Sequence, residues 1–220
     1  LTLEQKIAQL IMYPVYTKNG EAELTKIEKL VDDFGIGGLI YMQGGPVSQV
    51  NAHNRLMARS KVPLLTSIDG EWGVRMRLDS VIRFPRQMLL GAIQDESLVY
   101  DMGVEIAKQC SLTGVHVNFA PVVDINVNPN NPVINSRSFG EVKENVTRLS
   151  QAYMKGMQDN RILACAKHFP GHGDTDVDSH LGLPVIKHSA ERIKEIELYP
   201  FKALIDSGMG SVMVAHLSVP

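Results

Sequence analysis

From Lys167 to His180 the chain reads Lys-His-Phe-Pro-Gly-His-Gly-Asp-Thr-Asp-Val-Asp-Ser-His, which sets three of its seven histidines among three aspartates. Imidazole beside carboxylate is the side-chain pairing that moves protons near neutral pH. The run is glycine-rich and follows an apolar segment, Ile162 to Ala166, that reads as a buried strand. A loop held by a rigid strand is where a scaffold presents catalytic side chains. Within it, Asp178-Ser179-His180 has the spacing of a dyad. In extended backbone, side chains two apart project to one side, so the carboxylate of Asp178 can hold one ring nitrogen of His180 and aim the other. Such a neighbour favours the imidazolium and raises the histidine pKa above its reference of about 6.5. The ring then donates a proton in one step and accepts it in another.

Two plainer readings compete. In one, His180 simply caps or fills the loop; in the other, His168, His172, Asp174, Asp176, Asp178 and His180 include spacings able to ligate zinc. The spacing matches none of the helical zinc signatures, however. His172, between two glycines, reads as a loop-packing residue, and Asp174 and Asp176 as turn or solvent-facing residues.

The elements that must position this loop follow from hydrophobic patterning. Short apolar runs predict strands at Gln9–Met12, Gly38–Met42, Pro63–Asp69, Val117–Asp124, Ile162–His168 and Ser211–His216. Helical spacing is found from Leu1 to Leu10, at Val99, Met102, Ile106 and Cys110 before a stop at Gly114, over Glu144–Met157, and over Ser189–Glu197 with Ser189 as N-cap. Alternating strands and helices mean a parallel sheet. Polar groups gather at the strands' carboxyl ends: Asp69, Asp124, Lys167 with His168, and His216. A closed barrel brings all those ends to one face, whereas a doubly wound open sheet would ordinarily carry a phosphate-binding glycine loop after an early strand. Gly35-Ile36-Gly37-Gly38 precedes its strand instead, so the barrel is the better reading.

Composition narrows the partners. The chain has 220 residues, 44% apolar and 21% charged, with net charge −2, which suits one globular domain. No lysine or arginine run offers a stripe for nucleic acid. No apolar stretch approaches the roughly 18 residues a membrane span needs, and no signal sequence opens the chain, although one could have been trimmed. Cys110 and Cys165 lie in apolar patterns and read as two buried thiols, in keeping with a reducing compartment.

The loop KHFPGHGDTDVDSH resembles the signature of glycoside hydrolase family 3, in its β-N-acetylglucosaminidase branch. Supporting segments are LTLEQKIAQLIM, SIDGEWGVRMR, NFAPVVDINVNPNNPVINSRSFG and SVMVAHLSVP, which spread the resemblance over nearly the whole chain. It implies an α/β fold, a (β/α)8 TIM-type barrel with about six βα units present. It also implies a retaining exo-glycosidase that removes terminal β-linked N-acetylglucosamine from muropeptides or chitooligosaccharides, with no cofactor and no metal. His180 and Asp178 match the branch's acid/base pair, and its sugar-holding residues carry over to Asp69, Arg77, Arg137, Lys167 and His168. Relatives with this loop are often cytoplasmic recyclers of cell-wall fragments, though secreted forms exist. Trp72 departs from the family pattern, which has glycine there, and leaves the neighbouring subsite open.

The chemistry of these residues agrees with that role. A glycosidic oxygen leaves poorly unless protonated, so a donor must stand beside it with a nucleophile or water on the sugar's opposite face. Asp69 can accept from two hydroxyls, Arg77 and Arg137 offer rigid forks of donors, and Lys167 adds a third cation. Asp69 as a turn residue beside Gly70, and Arg137 paired with Glu141, are the bland alternatives. The family's nucleophile is an aspartate ending a seventh strand, and no residue here matches it. Residues 1–220 therefore read as the barrel domain without its last strands, and negligible hydrolase activity is expected of this polypeptide alone. A β-glucosidase of the same family, a phosphorolytic variant, a non-catalytic sugar-binding module and a metal-dependent hydrolase are the alternatives.

Overall fold

The computed structural model describes residues 1–177 and 182–220. Strands β1 Met12–Val15, β2 Gly38–Tyr41, β3 Leu65–Ile68, β4 Val117–Asn118, β5 Leu163–Phe169 and β6 Ser211–Val214 pair in chain order, every pair parallel. Helix α1, Leu3–Ala8, precedes β1. The crossovers are α2 Glu21–Lys29, α3 Pro46–Arg59, α4 Gln87–Leu90 with α5 Ser97–Leu112, α6 Lys143–Gln158, and α7 Ala190–Glu195 with α8 Leu198–Asp206. Sequential parallel strands joined through helices are the arrangement of a TIM-type α/β barrel, with all carboxyl ends on one face. Among the described residues no pairing joins β6 back to β1.

Local chemistry starts and stops these elements. Thr2 and Gln5 form a capping box on α1, Pro46 occupies the first turn of α3, and Ser189 caps α7 by accepting from the Arg192 amide. Gly35, at φ 65°, closes the π-helical turn Leu30–Phe34 that ends α2. Helices α5 and α6 lie backbone to backbone at two glycines. A Cβ on Gly156 would stand 2.2 Å from the Tyr100 carbonyl, and one on Gly103 2.6 Å from that of Tyr153. Their inner faces, including Val99, Ile106, Leu149 and Tyr153, join the sheet in the core. Close approach of the two helices sends the Tyr153 hydroxyl beneath the β3 loop, where it lies 3.1 and 3.2 Å from the carbonyls of Gly70 and Glu71.

Two strand expectations are corrected. The first strand is Met12–Val15 rather than Gln9–Met12, because the capping box carries α1 forward until the Gln9 amide caps it on the Gln5 carbonyl. Pro14 masks this strand in the sequence, since proline gives no ladder donor and is tolerated in β1, at the edge of the described sheet. The fourth strand, expected over Val117–Asp124, is regular only at Val117–Asn118. Pro121 follows, and pairing resumes as a lone bridge from Val122 to Lys167. Cys110 and Cys165 are both buried free thiols. No helix among the described residues is long and apolar enough to cross a membrane.

Candidate active site

The carboxyl ends of β3 and β5, with the loop after β4, supply most of the polar wall of one cavity of about 500 Å³. Asp69 follows β3 directly, and a 3-10 turn at Val74–Met76 folds the chain so that Arg77 returns to it. Arg137 is carried by a second such turn, Asn135–Arg137, while Lys167 and His168 are the end of β5 itself. Ile40, Phe119 and Met213 add apolar surface, and His216 stands on the β6 side. The volume suits a small ligand.

Ion pairs lock the floor. Lys167 Nζ donates to Asp69 Oδ1 and to Glu71 Oε1, each at 2.8 Å, and Arg77 Nη2 donates to Asp69 Oδ2 at 2.8 Å. Arg137 grips Glu71 with two parallel bonds, Nε to Oε2 at 2.9 Å and Nη2 to Oε1 at 2.7 Å. Glu71 is 0% exposed and Lys167 only 2%. Burial alone would push both carboxyls up. The Lys167 ammonium, aided by Arg77 at Asp69 and by Arg137 at Glu71, outweighs it and holds both below the ordinary carboxylate range. Burial likewise pulls the Lys167 ammonium down, and Glu71 and Asp69 reverse it, leaving the pKa raised.

A second support lies under His168. Fully buried Asp124 accepts from the His168 ring Nδ1 at 2.7 Å, from the His172 amide at 2.7 Å and from the His168 amide at 3.2 Å. Burial acts upward on this carboxyl, and the His168 imidazole with these amide donors brings it below its usual value. Arg137 Nη2 lies 3.3 Å from His168 Nε2. A guanidinium only donates, so Nε2 carries the lone pair and Nδ1 the hydrogen that points at Asp124. His172 is buried, its ring Nδ1 lies 2.6 Å from the Thr175 hydroxyl, and burial lowers its pKa.

Asp69, Arg77, Arg137, Lys167 and His168 therefore come together from segments far apart in sequence, whereas Asp178 and His180 lie outside the described residues. Arg137 pairs with Glu71 and not with the sequence-adjacent Glu141, and Asp69 holds two cations instead of serving as a bare turn residue. Asp174 pairs with His188 and is not merely solvent-facing. Trp72 lies beneath the Arg86 guanidinium, 4.7 Å from ring centroid to carbon, and is not in the cavity wall. Glu71 was not singled out by local pattern, and Asp124 was noted only as a polar strand end and not as the support of His168. Their visible signal was an acid next to a strand end, but their partners are distant in the chain. Among the described residues, no group of three or more His, Cys, Asp or Glu side chains is placed to hold a metal ion.

Chemically, the floor offers fixed donors and acceptors side by side, the pattern that adjacent hydroxyls require. Comparison with known proteins gives the same direction. Residues 2–220 match the glycosyl hydrolase family 3 N terminal domain. The beta-hexosaminidase A of Pseudoalteromonas piscicida is 38% identical over 209 residues, covering 89% of this chain and 35% of that protein. A solved glycoside hydrolase family 3 beta-N-acetylglucosaminidase from Paenibacillus sp. superposes with a TM-score of 0.92 at 39% identity, covering 100% of this chain and 43% of that one. A solved beta-glucoside phosphorylase gives a TM-score of 0.94 at 29% identity, covering 100% and 39%. The chain spans 35% to 43% of the length of these relatives. On this match and this architecture, the chain belongs to glycosyl hydrolase family 3, within its N-terminal domain.

Proposed function

We propose that residues 1–220 supply the sugar-binding floor and the acid/base loop of a retaining exo-glycosidase that releases terminal β-linked N-acetylglucosamine from muropeptides or chitooligosaccharides. The observation that carries this reading is the convergence of Asp69, Arg77, Arg137, Lys167 and His168 on one cavity at the strands' carboxyl ends. In this reading Asp69, Arg77, Arg137, Lys167 and His168 hold the terminal sugar's hydroxyls. His180, steered by Asp178, protonates the glycosidic oxygen as an aspartate from outside this chain attacks the anomeric carbon. The C–O bond breaks, the aglycone leaves with the proton, and a glycosyl ester forms. His180 then takes a proton from water, whose oxygen attacks the same carbon and frees the carboxylate.

The likeness to a beta-glucoside phosphorylase favours one variant, in which inorganic phosphate replaces water in the second step. Full-length protein acting on a chromogenic N-acetyl-β-glucosaminide, followed by proton NMR, tests both. The β-anomer of N-acetylglucosamine is expected as the first product. First formation of the α-anomer contradicts double displacement, absence of release contradicts the activity, and a sugar 1-phosphate in phosphate buffer selects the phosphorolytic variant.

A further inference from the structure

Charge around the cavity floor is balanced, and one residue that offers no surface to a ligand makes it so. Among the described residues, Arg77, Arg137 and Lys167 bring three positive charges to the cavity wall, and Asp69 and Glu71 bring two negative ones. Asp124, buried behind His168, supplies the third. Within this set Glu71 is distinctive. It alone contacts both Arg137 and Lys167, while its side chain is wholly covered. Its backbone is fixed as well, since Gln87 Nε2 and the Tyr153 hydroxyl both donate to its carbonyl.

We propose that Glu71 is a positioning and specificity residue: it aims the Arg137 and Lys167 donors at an uncharged sugar ring and cancels the charge that would otherwise let those donors capture a small anion. Arg137 and Lys167 are the two donor types best suited to bind sulfate, phosphate or a sugar carboxylate. Without a buried counter-charge they form a cationic pocket. With Glu71 in place, a neutral hydroxyl loses little on entering, whereas an anion meets a carboxylate bonded to both donors, with Asp69 bonded to Lys167 beside it. The terminal sugar accepted is therefore one without a carboxylate or phosphate. This inference rests on the glycosidase reading.

The test uses the full-length enzyme with Glu71→Gln and Glu71→Asp, at constant ionic strength. Sulfate is the anion probe, because phosphate can itself act as a nucleophile. Wild type must first cleave the chromogenic N-acetyl-β-glucosaminide; if it does not, the glycosidase reading fails and not the role of Glu71. Given cleavage, Glu71→Gln is expected to raise KM at least about tenfold and to make sulfate a competitive inhibitor at least about tenfold stronger than against wild type. Glu71→Asp, which keeps the charge and shortens the reach, is expected to raise KM while remaining insensitive to sulfate. That split separates positioning from charge balance, and loss of folding alone does not produce it. A folded Gln variant with wild-type KM and sulfate response overturns the proposal, as does sulfate inhibiting wild type equally. If the Gln variant does not fold, sulfate inhibition of the Asp variant, or its wild-type KM, overturns it.

Discussion

The two sides of the cavity are built differently. On the β3 to β5 side every charged group has a partner, Glu71 and Lys167 are buried, and Tyr153 and Asp124 brace the backbone from behind. On the β6 side the wall is Met213, Val214 and Ala215, with His216 beside them. One side is a frame of fixed charged donors and acceptors, and the other is mainly apolar. On the proposed reading, the strands, with their ends tied across the sheet, set the binding geometry before any proton is moved.

That contrast is broken most severely by Lys167→Met. Buried Glu71 and half-buried Asp69 then lose their shared cation, and removing one partner of a buried pair costs about 3–5 kcal/mol. Urea unfolding of the full-length protein measures it, and a loss under about 1 kcal/mol would mean that the floor is not a stabilising network. Next comes Gly156→Ala at the α5–α6 contact that delivers Tyr153. Its new Cβ meets backbone, so a loss of about 1–3 kcal/mol is expected in the same assay.

Acid titration sharpens the comparison further. His53 and His172 have lowered pKa values from burial, so each contributes stability that is complete above the ordinary 6.5 and is lost as pH falls through the folded value. Asp69, Asp124 and Glu71 are also lowered, so their contribution is complete above ordinary values of 3.8 to 4.5 and is lost only below them. Stability should therefore fall in two stages. His53→Gln with His172→Gln should flatten the upper one and leave the lower, and an unchanged upper stage would remove both histidines from the explanation. The smallest effect is expected at Glu105→Gln on α5, within about 0.5 kcal/mol, because its pair with Lys108 is exposed to solvent.

Legibility followed the same divide. The ends of β3 and β5 could be read because an apolar run stops at Asp69 or at Lys167 and His168, and a strand end needs no distant information. Glu71 could not, since its role depends on Arg137, which lies 66 residues away, and on Lys167. Nor could the grip of Asp124 on His168, across 44 residues. Nearest-neighbour reasoning offered Glu141 to Arg137, and the fold gave it Glu71 because the turn at Asn135–Arg137 aims the guanidinium across the cavity. Strand β1 was misplaced for a local reason: Pro14 weakened its signal, while Gln9, where the expected strand began, caps α1 on the Gln5 carbonyl.

The central claim is that the imidazole of His180 delivers the proton that frees the aglycone, and a leaving-group series on full-length His180→Ala tests it most directly. Aryl N-acetyl-β-glucosaminides spanning acidic to weakly acidic phenols, compared by kcat/KM with wild type, should show little loss for the most acidic phenol. The least acidic should lose at least about a hundredfold, as for removal of a general acid. Equal loss across the whole series would contradict the claim.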